Sequence, residues 1–225
     1  MDNQSPFNAL PPVVVALVLI IVVVELIFTA GAQGLIGGPG AIGWRLEAVR
    51  SYAFAPSVSE LVFVRGDYSF EVLKRFVTFS FVHASFLDAM FGMVLTLALG
   101  KFVGDAFGNF ATGFLFFFTA AFGALVYGLF LSGFVPLIGA YPAAYGLIGA
   151  YTYLIWLRLG ESGENQLAAF RLIGFLLGLQ LFYGIAFGST PQWIAELAGF
   201  FSGFAVAPLL APGGWQAFVA RMRRR

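Results

Sequence analysis

The sequence predicts an all-α membrane protein, a bundle of six transmembrane helices with a long, partly helical loop after the first. Three observations carry this. The 225 residues are 60% hydrophobic and only 10% charged, with a mean hydropathy of +0.90, whereas a soluble domain is normally about 25% charged. Apolar runs of spanning length recur along the chain, and about 20 apolar residues cross a bilayer. Strict alternation is missing, so the runs read as helices, which satisfy their own backbone in lipid.

The expected spans lie near residues 11–31, 76–100, 110–134, 137–157, 168–188 and 192–211. The first could be mistaken for a signal peptide, since Ala30-Gly31-Ala32 mimics a cleavage site. No Lys or Arg precedes it and the run is long, so it is expected as an uncleaved span. Residues 32–75 form the one long connection. Trp44-Arg45-Leu46-Glu47-Ala48-Val49-Arg50 has charged and apolar residues at helical spacing, and Ser57 to Phe63 reads similarly. This external (periplasmic) loop is expected in the membrane interface, with Trp44 at headgroup depth. Small residues four apart, Gly174/Gly178 and Gly199/Gly203, and the crowding of Gly139, Gly146 and Gly149, predict close helix packing.

Orientation follows from basic residues. Segment 212–225 ends in Arg221-Met222-Arg223-Arg224-Arg225, and Lys101, Arg158 and Arg171 fall on the same side as that tail. Both the N-terminal segment 1–10 and the tail are therefore expected in the cytoplasm. The whole of 1–225 reads as one integral membrane domain, expected in a bacterial inner (plasma) membrane. A net charge of +1 without a massed basic footprint argues against a nucleic-acid partner. With no Cys and one His, neither disulfides nor a metal site of the usual kind is expected, and no cofactor is.

Residues 139–150 read Gly-Ala-Tyr-Pro-Ala-Ala-Tyr-Gly-Leu-Ile-Gly-Ala, and 195–203 read Ala-Glu-Leu-Ala-Gly-Phe-Phe-Ser-Gly. Upstream, Arg75-Phe-Val-Thr-Phe-Ser-Phe-Val-His83 leads into an apolar run, and Leu99-Gly100 and Val103 fit a short turn to the next. In order and spacing these segments resemble the rhomboid intramembrane serine proteases over roughly residues 75–205. The resemblance implies a nucleophilic Ser followed by Gly in the fourth span and a catalytic His opening the sixth. It also implies a structural His, then a second His five residues on, then an Asn four further, in the second span. This chain has Tyr141 for the Ser, Pro142 for the Gly and Glu196 for the catalytic His. His83 stands at the structural position, followed by Asp88 and Gly92.

A serine protease needs a nucleophile, a base and donors for the oxyanion. A phenol is a weak nucleophile, a carboxylate does not cycle near neutral pH as imidazole does, and Gly92 deletes an amide donor. The resemblance therefore implies a rhomboid-like pseudoprotease without peptidase activity. It would bind or stabilise other integral membrane proteins, as a client-binding protein or as a subunit of a complex, with lipid around it. A divergent active endopeptidase or hydrolase is the alternative, and a small transporter or proton conductor ranks below it, since internal repeats are absent.

Glu25, Asp88 and Glu196 fall in apolar runs, where an ionisable residue points to function by default. Glu25, at the far end of its span, can also simply reach the interface. For Asp88, Tyr141 and Glu196, with His83 beside them, three readings stay open: a polar cluster tying helices, a ligand or client cavity, and a proton relay. The expected geometry pairs Tyr141 with Glu196.

Overall fold

The computed structural model describes residues 10–188 and 190–211. Nearly all of segments 1–10 and 212–225, including the basic tail, lies outside the described residues.

Six long helices dominate. Helix α1 spans Pro12–Ala32. The loop after it carries four short helices, α2 (Trp44–Tyr52), α3 (Pro56–Phe63), α4 (Phe70–Leu73) and α5 (Arg75–Thr78). The remaining long helices are α6 (Phe86–Phe107), α7 (Asn109–Phe130), α8 (Tyr141–Glu161), α9 (Arg171–Phe187) and α10 (Trp193–Leu210). Among the described residues no strand forms beyond one antiparallel bridge, Phe54 to Leu137, which ties the loop to the α7–α8 connection.

The second span is the main correction. It was expected from residue 76, but α6 starts at Phe86, so residues 75–85 belong to the loop. The cause is a cap. Ser85 adopts an extended backbone and its Oγ accepts the Asp88 N–H at 3.2 Å. Asp88 Oδ2 reaches back to accept the Ala84 N–H at 2.9 Å. Ser followed three residues later by an acid is a helix-start pattern. The fourth helix is displaced as well, to 141–161 from the expected 137–157. Gly139 at φ +92° holds a turn that other residues strain to adopt. Pro142 then fits the first helical turn, where a missing N–H costs nothing.

Helices α1, α6, α7 and α10 are each long and apolar enough to cross a membrane. Helix α8 is built differently because it is the interior helix, packed by α10, α7 and α6. Residues 142–150 are buried without a break. Over that stretch its surface meets neighbouring backbone, so small residues serve it better than Leu or Val. A Cβ on Gly199 would run into the Pro142 carbonyl, on Gly203 into the Gly146 carbonyl, on Gly149 into the Phe200 carbonyl, and on Gly146 into Thr119.

Gly174 and Gly178 do not pack this way. A Cβ at either would meet nothing within 4 Å. Helix α9 rests chiefly on the 3₁₀ turn 166–170 before it and leaves Phe175, Leu179, Leu181 and Ile185 exposed. Spacing alone cannot tell a packed glycine pair from one facing outward.

Candidate functional site

The loop-side end of the bundle gathers the polar groups. Asp88 and Glu196 sit in the first turns of α6 and α10, where the helix macrodipole favours negative charge. Tyr141 opens α8, and Glu25 lies in the last two turns of α1. All three carboxyls thus lie toward the loop-side ends of their helices.

Tyr141 pairs with Asp88. Its hydroxyl donates to Asp88 Oδ1 at 2.7 Å and approaches the Asp88 carbonyl oxygen at 3.1 Å. The side chain of Asp88 thus accepts on both oxygens, one from its own cap and one from α8. The expected Tyr141–Glu196 bond is not formed. Glu196, 5% exposed, instead accepts from Gln180 Nε2 on α9. Gln180 is the residue that sequence reasoning missed, although a lone amide inside the apolar run 168–188 was the available signal.

His83 holds the start of α8. Its Nε2 accepts the Ala140 N–H at 3.2 Å, which leaves the ring proton on Nδ1. The adjacent Gly139 N–H donates to the carbonyls of Val82 at 2.8 Å and Phe79 at 3.0 Å. The His83 ring meets Tyr141 edge-on, with centroids 6.5 Å apart. Burial, the largest effect, pushes the imidazole below its usual range against the opposing pull of Asp88 and Glu25. Gly92 makes room for this ring, because a Cβ there would stand 2.6 Å from His83 Nε2.

Glu25 is 3% exposed and has its partners within the chain. Arg45 on α2 grips it bidentately, Nη2 to Oε1 at 2.6 Å and Nη1 to Oε2 at 2.9 Å. Arg45 Nη1 also donates to the His83 carbonyl at 2.8 Å, and the guanidinium lies 5.1 Å from the Phe28 ring centroid. Thr29 Oγ1 donates to Glu25 Oε1 at 3.1 Å. One arginine therefore joins α1, the loop and the His83 turn.

The structure thus brings His83, Asp88, Gly92, Tyr141 and Pro142 together and ties Glu196 to a different helix. Chemically, the cluster holds a phenol donating to a carboxylate that also caps a helix. Pro142 contributes no N–H beside it. Among the described residues no group of three His, Cys, Asp or Glu side chains is placed to hold a metal ion.

The Rhomboid domain family matches residues 71–213 of the chain. Among curated proteins none matches it.

Proposed function

The chain belongs to the rhomboid family, whose domain covers most of its length, and is an integral membrane protein with a helical bundle of that kind. Within that family we propose that it is a non-catalytic member, a pseudoprotease that binds or stabilises the transmembrane segments of other membrane proteins. The observation that carries this reading is the pairing at the degenerate positions. Catalysis would need a nucleophile bonded to a base. Here Tyr141 donates to Asp88, which also caps α6, and Glu196 is held by Gln180. Each group is committed within the chain.

The resembled fold admits a client helix between its second and fifth spans. Here those are α6, with Leu87, Phe91 and Val94 exposed, and α9, with Phe175, Leu179 and Ile185 exposed. Lipid-facing apolar surface on a loosely packed helix suits a transmembrane partner, since such contacts rest on packing rather than on expulsion of water. On this reading the chain is a single domain in a bacterial inner membrane, and the positions of its basic residues favour both termini in the cytoplasm.

Two experiments test the proposal. A photo-crosslinking residue at Phe91 or Leu179 of the full chain in native membranes should give adducts that map to transmembrane segments. The same probe at Phe114 on α7 should give none. Equal labelling at all three positions sinks the client-binding reading. Cleavage of a transmembrane substrate that depends on Tyr141 or Glu196 sinks the non-catalytic one. Tyr141→Ser with Glu196→His should stay inactive, because Asp88, Gly92 and Pro142 remain.

A further inference from the structure

Two cavities follow one another along α7 beneath the loop. The deeper, about 400 Å³, lies between the loop helices and α7, lined by Val62, Phe63, Phe76, Phe118, Phe122 and Leu125 among others, all apolar but for Tyr68. The outer, about 310 Å³, lies past it at the end of α7 and presents Ser57, Ser59, Glu60 and Ser132. Phe63 lines both. Leu125 and Phe118 stand five and twelve residues before the helix end at Phe130, so roughly 8 and 18 Å along its axis. The apolar cavity therefore occupies the loop-side half of a hydrocarbon slab about 30 Å thick, and the polar one sits at headgroup level.

We propose that this seam between α3 and α7 is a binding site for a phospholipid with an amine-bearing headgroup. One acyl chain lies in the apolar cavity and the ammonium sits on Glu60. The apolar lining suits an acyl chain, which needs no hydrogen-bonding partner there. Charge selects the headgroup. Glu60 is the one charged residue lining the outer cavity, and the more accessible Ser57 and Ser132 hydroxyls beside it can donate to a phosphate. Its own partner, Arg65, stands 3.8 Å away with both side chains more than half exposed. Such a surface pair is weak, so an ammonium competes with it. A headgroup carrying only negative charge would meet a carboxylate. The inference is independent of the client-binding reading, since α6 and α9 take no part in the site.

The test is native mass spectrometry of the full chain in mild detergent, titrated separately with phosphatidylethanolamine and phosphatidylglycerol of the same acyl chains. Phosphatidylethanolamine should be retained about two- to fivefold more, the range an exposed ion pair gives. Glu60→Gln should bring that ratio close to one. Ala121→Trp, which fills the apolar cavity, should lower retention of both lipids, whereas Phe110→Trp on an exposed face of the same helix should not. Equal retention of the two lipids by the unaltered chain overturns the proposal, as does a ratio that Glu60→Gln leaves unchanged. Full retention by Ala121→Trp overturns the seating of the chain. Should Ala121→Trp fail to fold, the headgroup comparison still decides, because Glu60 lies at the surface.

Discussion

Removing the Tyr141 hydroxyl is the sharpest test of the site. In Tyr141→Phe the ring keeps its volume and its edge contact with His83, and only the bond to Asp88 is lost. A hydrogen bond to a charged group contributes roughly 1.5–3 kcal/mol. Asp88 is only half-buried and keeps the Ala84 N–H on its other oxygen, so the loss should fall at the low end, about 1–1.5 kcal/mol. Asp88→Ala removes the same bond and the acceptor of the cap as well, at about 1 kcal/mol more. The double variant should then cost little more than Asp88→Ala alone, a coupling of about 1 kcal/mol. Tyr141→Phe with Glu196→Ala, which share no hydrogen bond, should be additive to within about 0.5 kcal/mol. Reversible unfolding of the chain in mixed micelles, followed by tryptophan fluorescence, measures these four variants and Glu196→Ala alone. Additivity with Asp88 and coupling with Glu196 would refute the assignment, because that is the signature of a Tyr141–Glu196 pair.

Arg45→Ala should destabilise by about 2–4 kcal/mol, below the full cost of stranding a buried charge, because Arg45 is itself one-quarter exposed. Adding Glu25→Gln should recover part of that loss in the same unfolding assay, since the amide needs no counter-charge. Gly203→Ala should be severely destabilising, because its new methyl meets the Gly146 backbone, while Gly174→Ala and Gly178→Ala meet open space and should be neutral or slightly stabilising. The His83 imidazole is depressed by burial from 6.5, so its neutral form is favoured by folding. Its contribution is fully present above that value and is lost as pH falls below it toward the lowered one. Subtracting the stability profile of His83→Gln, which keeps an acceptor for Ala140 and does not titrate, should isolate this loss; a flat difference between pH 7 and 5 would refute it.

The bundle was legible in the sequence because lipid imposes long apolar runs on any helix that faces it. What blurred was each boundary set by something other than hydropathy. Residues 76–85 are as apolar as α6 itself, and only Ser85 with Asp88 marks where the helix starts. Helix α8 was shifted by four residues for a similar reason, since Gly139 and Pro142 fix its beginning and no loss of apolar character does. The polar cluster was legible as a set of residues and illegible as pairs. Tyr141, Asp88, Glu196, Glu25 and Arg45 can all be picked out as charges or hydrogen-bonding groups in apolar company. Which of them meet depends on the rotation of each helix about its axis, and a sequence period fixes that only where one face is clearly polar.

The departures from the family pattern act as a coupled set rather than as scattered losses. His83 keeps its place at the head of α8 by accepting the Ala140 N–H, and it fits because Gly92 offers no side chain. A side chain added at position 92 would require His83 to shift, and moving His83 would disturb the Ala140 N–H bond and the carbonyl that Arg45 holds. Asp88 caps α6 and accepts from Tyr141 with opposite oxygens, so changing either residue disturbs the other's helix. Pro142 removes a donor from the turn, and its carbonyl lies in the close α8–α10 contact at Gly199. Each substitution is thus supported by its neighbour, and reintroducing one or two catalytic residues sets them among groups already arranged for cohesion. The contacts of His83, Asp88 and Tyr141 hold α6, α8 and the loop together, while Glu196 ties α10 to α9, and this supports the non-catalytic reading proposed above.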